Sequence, residues 1–147
     1  MKLLRGEVDN TRASLQDIQR NGGYAELTGT GIIIKVYDAK DGITKDQIVQ
    51  EKDIRDIVNE LYAAGATGLE VGGERLIAVT PIKAIDDTTT VNYVPIDRNP
   101  VIIKATGAPA ILISSLDLIR NTLEPWGIVF EIEVVESLTL SAFRGRR

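Results

Sequence analysis

Carboxylates are the side chains of this sequence that could carry acid–base or metal chemistry near neutral pH. The chain contains no histidine and no cysteine, which excludes imidazole and thiolate catalysis, disulfides and zinc sites built on those ligands. The best-spaced pair, Glu131 and Glu133, alternates along a predicted strand and therefore shares one face. A carboxylate hydrolase needs two such groups within roughly 5–10 Å in a pocket. Because we expect both glutamates on the open surface, the sequence predicts no catalytic residue, cofactor or metal.

A short glycine cluster, with Gly29 and Gly31, invites comparison with a phosphate-binding loop. Such a loop follows a strand and opens a helix, whose N-terminal amides bind the phosphate. Here the glycines precede the β-branched run 32–37, and no Gly-Lys-Ser or Gly-Lys-Thr follows them. We therefore predict a tight turn into the first strand.

Four polar side chains are candidates for contact with a partner: Asn59, Glu60, Glu74 and Arg75. Asn59 lies almost opposite the apolar stripe of a predicted helix, where a poor helix former has no packing role. Arg75 follows a predicted tight turn at Gly72-Gly73, and its guanidinium could hold a carboxylate such as Glu60 or Glu70. The alternatives are a tolerated surface residue for Asn59 and a structural ion pair for Arg75.

The length and the charge balance limit the class of protein. A chain of 147 residues suits one domain, and its 17 basic and 21 acidic side chains give a net charge of −4. The acidic excess lies in the body of the chain, which disfavours nucleic-acid binding. No apolar run is long enough for a membrane helix, and no signal peptide is visible, so we expect the chain as given to be soluble.

The chain divides into three predicted segments. Residues 1–22 place apolar side chains at heptad spacing, which is typical of a coiled-coil remnant that could form a homodimer, or of one amphipathic helix docked on the domain. Residues 24–143 form the domain. Residues 144–147 are a basic tail, for which we expect a solubilising role, the alternative being contact with an anionic membrane or partner.

Within the domain, strand and helix patterns follow one another in a regular order. We predict, in sequence, a strand 32–37, a helix 48–64, strands 69–71, 75–85, 88–94 and 101–105, a helix 109–123 and a strand 128–135. This order is βαβ, an inserted hairpin, then βαβ. It predicts an α+β fold of the ferredoxin-like split βαβ type, an antiparallel sheet with two helices on one face.

Four blocks of the sequence resemble the bacterial family labelled domain of unknown function 881, whose YlxW- and YlxX-type members are encoded near division and cell-wall genes in Gram-positive bacteria. The blocks are residues 27–31, 53–66, 73–75 and 99–107. Family members typically have an N-terminal membrane helix, a coiled coil and then this domain outside the membrane. The family has no established catalytic residues, so the resemblance implies none here.

The resemblance implies a non-catalytic, extracytoplasmic interaction domain of a membrane-anchored protein associated with cell division or the cell envelope. Its partners would be other proteins of the division or cell-wall machinery, and it would meet the membrane only through an anchor that this chain lacks. One alternative is a small-ligand-binding regulatory domain, by analogy with other ferredoxin-like folds. A carboxylate-dependent hydrolase is the less favoured alternative.

Overall fold

The computed structural model describes residues 25–40, 48–77, 80–85, 88–97 and 99–143. The predicted N-terminal helix and basic tail lie outside the described residues. The strands are β1 (Leu27–Tyr37), β2 (Gly68–Val71), β3 (Glu74–Arg75), β4 (Ile82–Ile85), β5 (Thr88–Val91), β6 (Val94–Pro95), β7 (Val101–Thr106) and β8 (Val129–Leu140). The α-helices of the described part are α1 (Glu51–Ala63), α2 (Pro109–Ser115) and α3 (Asp117–Leu123). The expectation of an α+β fold is confirmed.

The main sheet has five strands in the order β3-β2-β7-β1-β8. Every neighbouring pair in it is antiparallel. Helix α1 connects β1 to β2, with β7 lying between these strands in the sheet, and α2 with α3 connects β7 to β8, with β1 lying between them. Each helical connection therefore passes over one strand of the sheet.

The core lies on the face of this sheet that the helices cover. Alternate residues of β1 and β7 are buried there, and they face one another in register as Ile32 with Ala105, Ile34 with Ile103, and Val36 with Val101. The apolar stripe of α1 supplies four more buried side chains: Ile54, Ile57, Val58 and Leu61. Each fully buried aliphatic side chain stabilises the fold by about 1.5–3 kcal/mol.

The glycine cluster that we predicted as a turn belongs instead to β1. Gly29 pairs with Leu138 and Gly31 with Val135, so the register shifts between them in a β-bulge. A Cβ atom at Gly31 would overlap the backbone carbonyl oxygen of Ala105 on β7. Glycine is needed here because the backbones of β1 and β7 approach closely. The prediction was wrong because a glycine cluster is also typical of a turn, and the local sequence does not show the approach of β7. The β1–β8 ribbon is correspondingly longer than predicted.

Three other predicted elements differ from the structure. The long strand expected over 75–85 is two strands, β3 and β4. The strand expected over 88–94 is also two strands, β5 and β6, because the chain turns at Asn92 and Tyr93, where φ is 54° and 64°. The helix expected over 109–123 is interrupted at Leu116, where α2 ends and α3 begins. The Ser115 hydroxyl donates a 2.7 Å hydrogen bond to the Leu112 carbonyl oxygen, and such back-bonding by serine often bends a helix.

A three-stranded antiparallel sheet, β4-β5-β6, is inserted between β3 and β7. It packs against α1, and the Arg55 guanidinium donates a 2.9 Å hydrogen bond to the Ile82 carbonyl oxygen. The predicted Gly72-Gly73 turn joins β2 to β3 with φ of 58° and 86°. These positive angles match the two-residue hairpin turns that glycine favours.

The close approach at Gly31 gives a testable prediction about stability. Gly31→Ala should lower the free energy of unfolding by about 1–3 kcal/mol, because the new methyl group displaces β7. Gly29→Ala is the matched control, since a Cβ there meets nothing within 4 Å. Urea unfolding followed by circular dichroism measures both. Equal losses for the two variants would contradict the close-packing explanation.

Candidate functional site

The structure separates the four predicted partner-binding residues into two pairs. Asn59 and Glu60 are exposed on α1. Glu74 and Arg75 are buried on β3, with 5% and 1% of their surface exposed. The four side chains therefore do not share one surface, and a candidate contact surface depends on the α1 pair.

Arg75 holds the two ends of the β1–β8 ribbon against the β2–β3 hairpin. Its Nη1 atom donates 2.9 Å hydrogen bonds to the carbonyl oxygens of Ala25, just before β1, and Ser141, just after β8. Glu70, opposite Arg75 in the hairpin, accepts 2.9 Å hydrogen bonds from the backbone nitrogen and the hydroxyl of Ser141. Lys104 lies 3.7 Å from the other Glu70 oxygen. We call Arg75, Glu70 and Ser141 the latch.

Electrostatics in the latch reflect its burial. Burial lowers the pKa of the Arg75 guanidinium, and the neighbouring Tyr62 and Glu70 side chains raise it in part. Burial raises the pKa of the Tyr62 hydroxyl, which the Arg75 charge opposes. A buried cation that donates to two carbonyl oxygens and lies beside a carboxylate has a structural role.

The exposed pair on α1 lines a groove between α1 and α3, which we call the α1–α3 groove. Its volume is about 360 Å³. Its lining residues are Asp53, Asp56, Asn59, Glu60, Leu118, Ile119, Thr122 and Leu123. The three carboxylates and Asn59 come from α1, whereas α3 supplies three apolar side chains and Thr122.

Helical periodicity explains the composition of both walls. Asp53, Asp56 and Glu60 lie three and four residues apart, so they follow one face of α1. On the other wall, Leu118 leaves 75% of its surface exposed, whereas Ile119 and Leu123 pack partly against the core. The groove therefore has one acidic wall and one apolar wall.

Two of the groove carboxylates are unpaired within the described chain. Asp56 and Glu60 form no salt bridge or hydrogen bond through their side chains with another described residue. Asp53 differs, because it caps α1 by accepting a 2.9 Å hydrogen bond from the Gln50 backbone nitrogen. Burial raises the Asp53 pKa, and the Gln50 hydrogen bond opposes that change.

Glu60 also lies where the helix disfavours it. It occupies the last turn of α1, a turn without a basic residue. The C-terminal end of a helix carries partial negative charge, so a carboxylate there costs about 0.3–1 kcal/mol. Local stability gives no reason for a glutamate at this position.

A smaller groove of about 190 Å³ lies on the other side of Asn59, between α1 and the inserted sheet. Its polar lining includes Arg55, Tyr62 and Thr80. Arg55 already donates to Ile82, and the Thr80 hydroxyl already accepts a hydrogen bond from the Ile77 nitrogen. Asn59 therefore lies on a ridge with a groove on each side.

The carboxylate pair considered for hydrolysis lies on the face of the main sheet that no described helix covers, which we call the uncovered sheet face. Glu131 and Glu133 are exposed and pair in register with Lys35 and Ile33 of β1. The Tyr37 hydroxyl donates a 3.2 Å hydrogen bond to Glu131. Desolvation and that hydrogen bond raise the pKa of the Tyr37 hydroxyl.

No group of three or more potential metal-ligating side chains occurs among the described residues. None of the described helices has the length and apolar character needed to cross a bilayer.

Sequence reasoning missed Asp56 and Leu118 as groove residues. The signal for Leu118 was present, because it falls outside the apolar stripe of Leu112, Leu116, Ile119 and Leu123. A leucine outside a stripe is ordinary on its own. Leu118 indicates a candidate contact surface only because it lies beside the acidic face of α1. A pattern along the sequence does not show that these two helices are neighbours.

The latch predicts a large effect of Arg75 on stability. Arg75→Met should lower the free energy of unfolding by about 3–5 kcal/mol, because it leaves two carbonyl oxygens without a donor and leaves Lys104 as the neighbouring cation of the buried Glu70 carboxylate. Arg120→Met is the control, since Arg120 pairs at 3.5 Å with Glu124 at the surface and should lose less than about 1 kcal/mol. Chemical denaturation of both variants measures the difference, and similar losses would show that the latch is not a stabilising element.

The position of Glu60 predicts a gain in stability on substitution. Glu60→Lys should raise the free energy of unfolding by about 0.5–1 kcal/mol, since it replaces a disfavoured charge with a favoured one. Glu51→Lys, in the first turn of α1, should have the opposite sign. Thermal unfolding at low and high salt measures both effects, which salt should weaken. A loss of stability for Glu60→Lys would mean that Glu60 has a structural partner.

Comparisons with known proteins identify relatives of this sequence. Residues 14–147 match the model of a family described as "Bacterial protein of unknown function (DUF881)". The UPF0749 protein YlxX of Bacillus subtilis (strain 168) is 24% identical over 132 residues, which are 88% of this chain and 53% of YlxX. The UPF0749 protein YlxW of the same organism is 30% identical over 106 residues, which are 69% of this chain and 46% of YlxW. The chain thus spans about half the length of these relatives.

The fold also matches a solved structure. The crystal structure of an uncharacterized conserved protein from Mycobacterium tuberculosis superposes with a TM-score of 0.76 and 20% sequence identity, covering 91% of this chain and 94% of that one. At that identity the match shows a shared fold. Because the family model covers most of the sequence, the chain belongs to the DUF881 family of bacterial proteins.

Proposed function

We propose that this chain is a non-catalytic interaction domain that contacts another protein through the α1–α3 groove. The observation that supports this most directly is the side chain of Leu118, 75% exposed beside the unpaired carboxylates of Asp56 and Glu60. Protein interfaces commonly combine an apolar centre with a polar rim. The groove has both components, and Asp56 and Glu60 have no described side-chain partner, whereas Glu131 on the uncovered sheet face lies opposite Lys35 in register and accepts a hydrogen bond from the Tyr37 hydroxyl.

The energetic argument is that the groove keeps features that do not stabilise the isolated domain. Asn59 is a poor helix former at an exposed position, and Glu60 opposes the helix dipole. Leu118 leaves most of its apolar surface in water. Features that lower the stability of the free protein are expected where selection acts on binding.

We also propose a cellular setting. In the parent protein the domain lies on the extracytoplasmic face of the cell membrane, held there by an anchor, and acts with proteins of cell division or the cell envelope. Residues 1–22 would form a coiled coil that pairs two copies. Membership in DUF881 supports this setting through the layout that the resemblance implies. The greater length of the two B. subtilis relatives leaves room for such additional segments in a parent protein.

For the finer fold class, we propose the ferredoxin-like split βαβ arrangement. The order β2-β7-β1-β8, all antiparallel, and the placement of the helical connections support it. In this description β3 and the inserted β4-β5-β6 sheet are additions between the two βαβ halves. Both additions lie on the β2–β7 connection, away from the α1–α3 groove.

The alternative of a small-ligand regulatory domain would use the smaller groove beside Asn59. The polar side chains of Arg55, Tyr62 and Thr80 line this groove, but Arg55 and Thr80 already form hydrogen bonds within the chain. A ligand would have to compete for those donors and acceptors. The α1–α3 groove, with unpaired Asp56 and Glu60, supports the interaction function better.

Recruitment in cells tests the proposed function. In the full-length parent protein with a fluorescent tag, Leu118→Asp should abolish enrichment at the division site, because it removes the apolar centre of the groove. Its melting temperature should stay close to the unsubstituted value, since substitutions at exposed sites usually change stability by less than about 0.5 kcal/mol.

The matched control is Ile85→Asp, which alters a side chain 44% exposed on the inserted sheet and should leave enrichment unchanged. Normal enrichment of a folded Leu118→Asp protein would refute the groove as the contact surface. A parent protein found entirely in the cytoplasm would refute the proposed location.

A further inference from the structure

We infer that the α1–α3 groove receives a positively charged amphipathic helix of the partner, with an apolar anchor against Leu118 and lysine or arginine beside Asp56 and Glu60. This inference rests on the proposed function and specifies the chemistry of the partner. It follows from three properties of the groove, which are its charge, the unpaired state of its carboxylates and the helical nature of its walls.

The charge of the groove has one sign. Asp53, Asp56 and Glu60 line it, and no lysine or arginine is among its lining residues. The smaller groove includes Arg55, and the depression on the uncovered sheet face includes Lys35. A partner with positive charge therefore finds a complementary field at the α1–α3 groove, and phosphate-bearing ligands are repelled from it.

The groove carboxylates also repel one another. Asp53 and Asp56 are three residues apart on α1, and Asp56 and Glu60 are four apart, spacings at which like charges on a helix destabilise it. The Asp56 charge contributes to raising the Asp53 pKa. Basic side chains from a partner would reduce this repulsion and would also attract the carboxylates directly. Both effects make the free energy of binding more favourable.

The walls of the groove favour a helix over an extended peptide. Both walls are α-helices, so the groove offers no strand edge with which an extended chain could pair. A bound helix instead inserts apolar side chains at helical spacing and keeps its own backbone satisfied. The exposed Leu118 lies opposite the acidic wall, which lets one helix present its apolar and basic faces to the two walls together.

A second copy of the domain does not fit the same groove face to face. Two acidic walls brought together would place Asp56 and Glu60 of each copy near like charges. The complementary occupant must therefore come from a basic surface.

Peptide selection tests the inference without assuming a partner sequence. Three phage-displayed pools of 16-residue peptides share apolar residues at helical spacing and differ at the remaining positions, which are basic, neutral or acidic. Each pool is selected on the full chain. We expect enrichment from the basic pool, with winning peptides binding at least ten times more weakly to an Asp56→Lys, Glu60→Lys double variant and to Leu118→Asp in fluorescence anisotropy.

The matched control is a Glu131→Lys, Glu133→Lys double variant, which makes the same charge change on the uncovered sheet face. Binding of the winning peptides should change less than twofold in this variant. Both groove substitutions on α1 place lysine at exposed helical positions, where it is a good helix former, so the double variant should fold. Circular dichroism checks the folding of all variants.

Several results would overturn the inference. Equal enrichment of the three pools, no enrichment from any pool, or enrichment of acidic peptides would each reject a basic partner. Equal weakening by the groove and sheet-face variants would show that only the net charge matters. Loss of cellular recruitment in Leu118→Asp together with any of these results would retain the proposed function and reject only the partner chemistry.

Discussion

The buried Arg75 guanidinium constrains the rest of the domain. Removing a charge from water costs several kcal/mol unless hydrogen bonds and an opposite charge replace the water. Here the replacements come from Ala25, Ser141 and Glu70, so they are present only when both ends of the β1–β8 ribbon reach the β2–β3 hairpin. The latch therefore couples the longest ribbon of the main sheet to its opposite edge, and the bulge and close approach at Gly31 belong to that same ribbon.

The latch also affects how freely the residues on the outer face of α1 can vary in sequence. The sheet, its buried aliphatic layer and the latch supply stability at sites away from the outer face of α1. Asn59 and Glu60 on that face have no described side-chain partner that fixes their identity. A surface whose residues are not required for folding is free to be selected for contact with another molecule. This division of labour explains why the features least favourable to local stability lie together around the α1–α3 groove.

Local sequence patterns were sufficient for much of the fold and insufficient for the latch. The stripe of α1, the Gly72-Gly73 turn and the alternation of helices and strands are local signals, and the structure contains each of them. Arg75 bonds to residues 50 and 66 positions away in the chain. Its burial depends on strand pairing that no local window contains, and the role of Gly31 depends on β7 in the same way.

The candidate site shows the same distinction within a single groove. Asn59 could be selected from the sequence, because a poor helix former opposite an apolar stripe is a local anomaly. Leu118 and Asp56 could not, since each is ordinary on its own helix and the groove exists only where α1 and α3 pack on the same sheet face. The strand order produces that packing, because each helical connection passes over one strand and brings the two helices side by side. A candidate contact surface of this kind is therefore encoded in the topology first and in the exposed residues second.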